Sequence, residues 1–150
     1  MWNFAFTLKA LFIVSQDGQL TGQDRNINKL KDSYLHWSKN QLKELAGSLD
    51  RLNKGTTKRP NSLWNEIYNT SNNIKGLGGS FGYFLMTDIA TSLCKYLRNI
   101  ESSSDIHPQI IEAHIDAMEQ VICHGIEGLG GEAGLLLMES LKQSIEKLKP

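Results

Sequence analysis

The chain has 150 residues, enough for one domain with a single core and too few for two. Sixteen basic residues balance sixteen acidic ones, so no overall field draws the protein to nucleic acid or to an anionic membrane surface. Cys94 and Cys123, in a chain that shows no secretory leader, point to reduced thiols in a cytoplasmic setting, with small buried hydrophobes the default for both.

The first fourteen residues are apolar, with Trp2, Phe4, Phe6, Leu8, Leu11, Phe12, Ile13 and Val14. The run is shorter than the ~20 residues a bilayer demands and Lys9 interrupts it, so no integral membrane segment is expected. It also lacks the charged start and small-residue cleavage site of a signal peptide. Alternation of Trp2, Phe4, Phe6 and Leu8 fits a strand, whereas Phe4, Leu8, Leu11 and Phe12 fit a helix, and the pattern does not choose between them. Exposed patches this apolar are uncommon on monomers, which favours a lid over one end of the fold over a self-association surface.

A turn marked by Asp17-Gly18 follows. From Asn26 or Asn28 onward, Leu30, Tyr34, Trp37, Leu42, Leu45, Leu49 and Leu52 form a stripe opposite Lys29, Lys39, Lys43 and Glu44, which predicts a helix over 28–52 ending before Gly55. Residues 1–25 are therefore assigned to an N-terminal extension and 26–150 to a helical domain. The connection that follows gathers Lys54, Lys58 and Arg59 before Pro60, a cluster more simply read as a solvated loop than as a docking site.

Leu63, Ile67, Ile74, Phe81, Leu85, Ile89, Leu93, Leu97 and Ile100 recur at steps of three, four or seven, as on the buried stripe of one long helix over 62–100. Within it stand Gly76, Gly78, Gly79 and Gly82, which would together cost about 3 to 4 kcal/mol in a helix. On a wheel, Asn72, Gly76, Gly79 and Tyr83 align on the side away from Ile74, with Lys75 beside Asn72. That face is stripped of side chains and open to close approach by another backbone or a charged group. The competing reading is a glycine-rich break between two shorter helices.

Residues 101–108 supply a linker, and Pro108 suits the first position of a helix over 109–124 that carries Ile111, Ile115, Met118, Val121 and Ile122. A glycine turn at 128–131 precedes a last helix over 132–148 on Leu135, Met138, Leu141, Ile145 and Leu148. The run Lys75 to Gly82 is echoed by Glu127 to Gly134, but the flanks do not match, and the echo reads as a coincidence of composition rather than a repeat. The architecture expected from these elements is all-α, an antiparallel four-helix bundle capped by the N-terminal extension.

The run Asn72 to Gly82, continued by Tyr83-Phe84-Leu85-Met86 and Ser92-Leu93-Cys94, resembles the active helix of histidine-containing phosphotransfer (HPt) domains of two-component phosphorelays. Ile74, Lys75, Gly76, Gly79 and Gly82 match the family's apolar, lysine and glycine positions, and the likeness extends over residues 33–149. The family's phosphorylated histidine falls on Asn72. The resemblance implies that Asn72 and Lys75 occupy the phosphoryl-transfer position, and that Asn69, Asn73, Gly76, Gly79, Ser80 and Tyr83 bind a partner. That partner would be a response-regulator receiver domain or a hybrid histidine kinase. No cofactor and no metal are implied.

In the resembled family an imidazole nitrogen attacks the phosphorus of an aspartyl phosphate, and a nearby cation steadies the phosphoryl oxygens. Lys75 keeps the cation. The amide nitrogen of Asn72 has its lone pair delocalised into the carbonyl, so it hydrogen-bonds but does not accept phosphate. The expectation is a docking module that carries no phosphate, at most a phosphocarrier if position 72 held histidine, and not an enzyme. None of His36, His107, His114 and His124 has the lysine and glycine spacing, and His114 and His124 read as polar-face or boundary residues. A nucleotide-binding loop needs a preceding strand and the P-loop ending, both missing here. The alternative from another class is a helical interaction protein that uses the glycine face as a subunit packing seam.

Overall fold

The computed structural model describes residues 22–55, 60–100 and 105–148. The apolar start of the chain, with the lid expected there, and Lys58 and Arg59 lie outside the described residues. The protein is all-α among the described residues, with five helices: α1 (Gly22–Lys54), α2 (Pro60–Gly78), α3 (Phe84–Arg98), α4 (Pro108–His124) and α5 (Gly131–Lys147). A short 3-10 turn, Gly79–Phe81, stands between α2 and α3. α1 packs on α2 and α4, α3 packs on the same two, and α5 lies against α3 and α4. α1 and α3 thus face each other diagonally across the core, their backbones not adjacent. No described helix is long and apolar enough to cross a membrane.

The helix expected over 62–100 is two helices. α2 ends at Gly78 and tightens into the 3-10 turn, which Gly82 closes at φ 82°, a left-handed conformation that a Cβ resists, and there the chain reverses. The N–H of Tyr83 reaches back to the carbonyl of Gly78 at 2.9 Å, and the Thr87 hydroxyl donates to the carbonyl of Lys75 at 3.2 Å. α2 and α3 are therefore an antiparallel hairpin. At Gly78 an added Cβ would collide with Thr87 Oγ1 and lie 2.9 Å from the carbonyl oxygen of Tyr83, so only hydrogen fits where the two helices meet. The apolar period survives the break because both arms turn their stripes inward. Ile67, Ile74, Leu85, Ile89, Leu93 and Leu97 are all buried in one core with Leu45, Ile111, Met118 and Leu141.

α1 starts six residues ahead of the expected 28, and Pro108 opens α4 as the spacing indicates. α4 ends on Gly125, φ 58°, whose N–H bonds the carbonyl of Ile122 at 3.2 Å. His114 departs from expectation. It is not a boundary residue but is fully buried on α4, where its Nδ1–H donates to the carbonyl of Ile110 at 2.7 Å. Its Nε2 then accepts from the Ser92 hydroxyl of α3 at 3.0 Å. With both ring nitrogens engaged, the neutral imidazole is stable inside the core.

Burial lowers the His114 pKa from 6.5 to about 4, its bond to the Ile110 carbonyl opposing the shift. Above pH 6.5 the ring is neutral in both folded and unfolded chains and pH has no leverage through it. As pH falls below 6.5 the unfolded chain takes up a proton that the folded chain refuses until about 4, so stability drops by about 3 kcal/mol across that window. Urea unfolding at stepped pH measures this, with His114→Gln as the control that shares every carboxylate. Wild type should lose more stability than His114→Gln between pH 6.5 and about 4, and parallel curves would refute the assignment.

Candidate functional site

The last three turns of α2 carry the residues singled out by sequence. Because α1 and α3 flank α2, only its outer side is open, and the 3.6-residue period sends Asn69, Asn72, Asn73 and Gly76 to that side. All four are exposed. The Asn72 side chain makes no hydrogen bond among the described residues, so its amide is free to meet a partner. Lys75, one turn on, is half-buried toward α3, and its ammonium also forms no ion pair among the described residues. The charge is nonetheless felt nearby. Burial pushes the Cys94 thiol upward, and Lys75 and then Arg98 pull it in the opposite sense.

Toward α1, Asn69 and Asn73 line a polar cleft of about 470 Å³ whose other wall is Glu44, Gly47, Ser48 and Arg51. Arg51 closes one end of it by pairing with Glu66 at 2.6 Å, and the Ser48 hydroxyl donates to the same carboxylate at 3.1 Å. The pair is largely solvated and adds little stability, but it holds α1 and α2 in register beside the asparagines.

The chain reversal rearranges the expected glycine strip. Gly79 is half-buried, Ser80 is exposed, and Tyr83 is turned inward with 2 % of its surface exposed. A continuous helix would have placed Tyr83 outside. The left-handed step at Gly82 rotates it into the core, where its ring stacks on Tyr34 at 5.1 Å, and Tyr34 stacks on Phe81 at 5.0 Å. Burial, then the carboxylates of Glu127 and Asp32, push the Tyr83 phenol above its usual range and keep it neutral. The aromatic at the surface is instead Phe84, 49 % exposed, its ring 3.5 Å from where a Cβ on Gly79 would stand. Leu77, 40 % exposed, adds a second apolar group. Sequence reasoning missed both, because only the position of the break decides which aromatic faces outward.

Two of the four glycines are accounted for internally, Gly78 by close approach and Gly82 by its φ, while a Cβ on Gly79 would make only ordinary contact with the Phe84 ring at 3.5 Å. Gly76 has no such contact. A Cβ there would meet nothing within 4 Å, so the fold itself gives no reason to omit the side chain in mid-helix. Among the described residues no group of three or more His, Cys, Asp or Glu is placed to hold a metal ion.

No family model matches the chain, and no curated protein or solved structure matches it.

The glycines separate cleanly in a stability experiment. Gly76→Ala should stabilise the protein by up to about 1 kcal/mol, since alanine is the better helix former and meets open space. Gly78→Ala should destabilise it by about 1 to 3 kcal/mol, because the Thr87 side chain and the Tyr83 carbonyl must move. Urea unfolding of the two variants reads both signs, and a loss of stability in Gly76→Ala would show an internal role for that glycine.

Proposed function

We propose that the protein is an HPt-like docking module of a two-component phosphorelay that binds a receiver domain and carries no phosphate. The observation that supports this most is Asn72, exposed and unbonded, with Lys75 one turn away and a glycine at 76 that internal packing does not require. A bare helical backbone beside a cation suits the approach of a partner's phosphorylation face. The exposed Leu77 and Phe84 give that partner apolar surface to bury, which a bound interface needs more than it needs charge.

The expected bundle counted 62–100 as one helix and 132–148 as its fourth; with 62–100 divided in two, the antiparallel bundle on this reading is α1 to α4, with α5 laid along α3 and α4 and the N-terminal extension covering apolar surface of the bundle. The helix adjacency supports it, since α1 and α3 each pack on α2 and α4 and their own backbones are not adjacent. A cytoplasmic setting is consistent with Cys94 and Cys123 both being free thiols. Chemically, receiver phosphoryl groups leave an aspartyl oxygen for an imidazole nitrogen, and Asn72 offers only an amide. Binding would then occupy the receiver without relaying its phosphate. The same two exposed apolar groups also support a second reading, a helical subunit that packs its Gly76 face against another copy or another helix.

The experiment is phosphoryl transfer from a panel of phosphorylated receiver domains to the chain and to its Asn72→His variant, with binding followed in parallel. Asn72 is exposed and unbonded, so the variant is expected to fold unchanged. The chain as it stands should bind at least one receiver and stay unlabelled, whereas Asn72→His should become labelled. Adding Lys75→Ala to Asn72→His should slow labelling on the order of 100-fold, by removing the cation at the phosphoryl oxygens. Failure of both forms to bind any receiver or take up phosphate would leave the helical packing protein as the better account.

A further inference from the structure

The eight large apolar side chains that stand exposed among the described residues fall into two sets. Leu77 and Phe84 flank the reversal between α2 and α3, at the end of the helix that carries Asn72. The other six are Ile27 and Leu30 on α1, Leu129 in the turn before α5, and Leu135, Leu136 and Leu148 on α5 itself. Lys31 pairs with Glu127 at 2.6 Å, which sets Leu30 beside the turn that carries Leu129. The second set therefore lies at the beginning of α1, on the turn that Lys31 reaches, and along α5.

Two of them, Leu135 and Leu148, line a groove of about 1270 Å³ between α3 and α5. Ile110 of α4 lines it, with Tyr96, Ile100, Leu135, Met138 and Ile145 around it. The charged side chains at its edge are of both signs, among them Asp88, Glu139, Lys95 and Lys142, so no strongly charged ligand is selected. None of Asn69, Asn72, Lys75 or Gly76 lines it. Leu135 is the most exposed of the apolar residues, at 74 %, and it stands at this groove on a helix otherwise packed against α3 and α4.

We propose that the apolar segment Trp2 to Val14 of this same chain occupies the groove between α3 and α5. Three observations select this occupant. The segment is the most apolar run of the sequence, with eight large apolar side chains to cover, and the groove offers a long apolar wall. It precedes the start of α1, where Ile27 and Leu30 stand exposed and Lys31 reaches the turn before α5. Its reach also suffices. Gly22 stands ~14 Å of helix before Lys31, residues 15–21 extend over ~23 Å, and residues 2–14 extend over ~43 Å against ~25 Å for α5. A second copy bound through α5 would leave the side chains from Trp2 to Val14 still to be covered, whereas the segment's own docking answers both exposures at once. The Asn72 face stays open in this arrangement, so the inference stands or falls separately from the docking function.

The test uses the full chain with Phe6 replaced by the photoreactive p-benzoylphenylalanine, irradiated as a mixture of isotopically heavy and light chains and mapped by peptide mass spectrometry. Crosslinks should join residue 6 to peptides from 88–100 or 135–148 and be isotopically uniform, as within one chain. In a second full-length variant, with Phe4, Phe6 and Phe12 changed to Ser, the amides of 135–148 should lose hydrogen-exchange protection while those of α2 keep theirs. Crosslinks of mixed isotopic composition would make a second copy the occupant and overturn the proposal. Crosslinks confined to other surfaces, or unchanged exchange in the serine variant, would also overturn it.

Discussion

Two glycine turns held together by their backbones organise the end of the protein where the candidate face is built. Gly128 donates its N–H to the carbonyl of Gly82 at 2.6 Å, and the N–H of Leu85 returns to the carbonyl of Gly128 at 2.8 Å. Each such bond contributes about 1 kcal/mol, but their greater effect is positional. They fix the α2–α3 reversal against the α4–α5 reversal, and Lys31 ties the same turn to α1 through Glu127. Leu85 then fits where a Cβ on Gly130 would come within 2.9 Å of it, so bulk at that position would open the contact. The placement of the two reversals and of α1 is thus tied by these backbone bonds and one ion pair.

From this clasp follows the direction of every aromatic nearby. Phe81 and Tyr83 point inward onto Tyr34 of α1, and Phe84 is left outside over Gly79. Stacked rings add a modest increment beyond their buried area, but here they also lock α1 to the reversal. The outer side of α2 is consequently presented on a rigid support, while its own surface from Asn69 to Gly76 takes part in no internal contact that demands those residues.

Much of this was legible in the sequence. The apolar stripes of Leu42 to Leu49, Ile67 to Leu97 and Ile111 to Ile122 predict the buried faces correctly, because helical period and burial are read from the same residues. Pro108 marks its helix start for a purely local reason. What was not legible depended on one backbone angle or on distant partners. A stripe with steps of seven and four passes through Phe81 whether or not the chain reverses at Gly82, so periodicity alone placed Tyr83 on the wrong side. His114 looked like a boundary residue because Ser92 and the Ile110 carbonyl, which satisfy it in the core, are not visible as a pattern. The two similar glycine runs lie next to each other in the fold. They meet through the backbone bonds between Gly82, Leu85 and Gly128, but their glycines answer to different neighbours, Gly78 to Thr87 and the Tyr83 carbonyl and Gly130 to the Leu85 and Ile126 side chains.

The isolation of Asn72 has an evolutionary side. Asparagine and histidine codons differ only in their first base, and a residue that faces solvent and bonds to nothing in the fold is invisible to selection for stability. Passage between an amide and an imidazole at this position is therefore one nucleotide change that the rest of the chain need not accommodate. An exchange of side chain at position 72 thus crosses no folding barrier, and the constraint on that residue is a matter of surface chemistry and not of whether the protein stands.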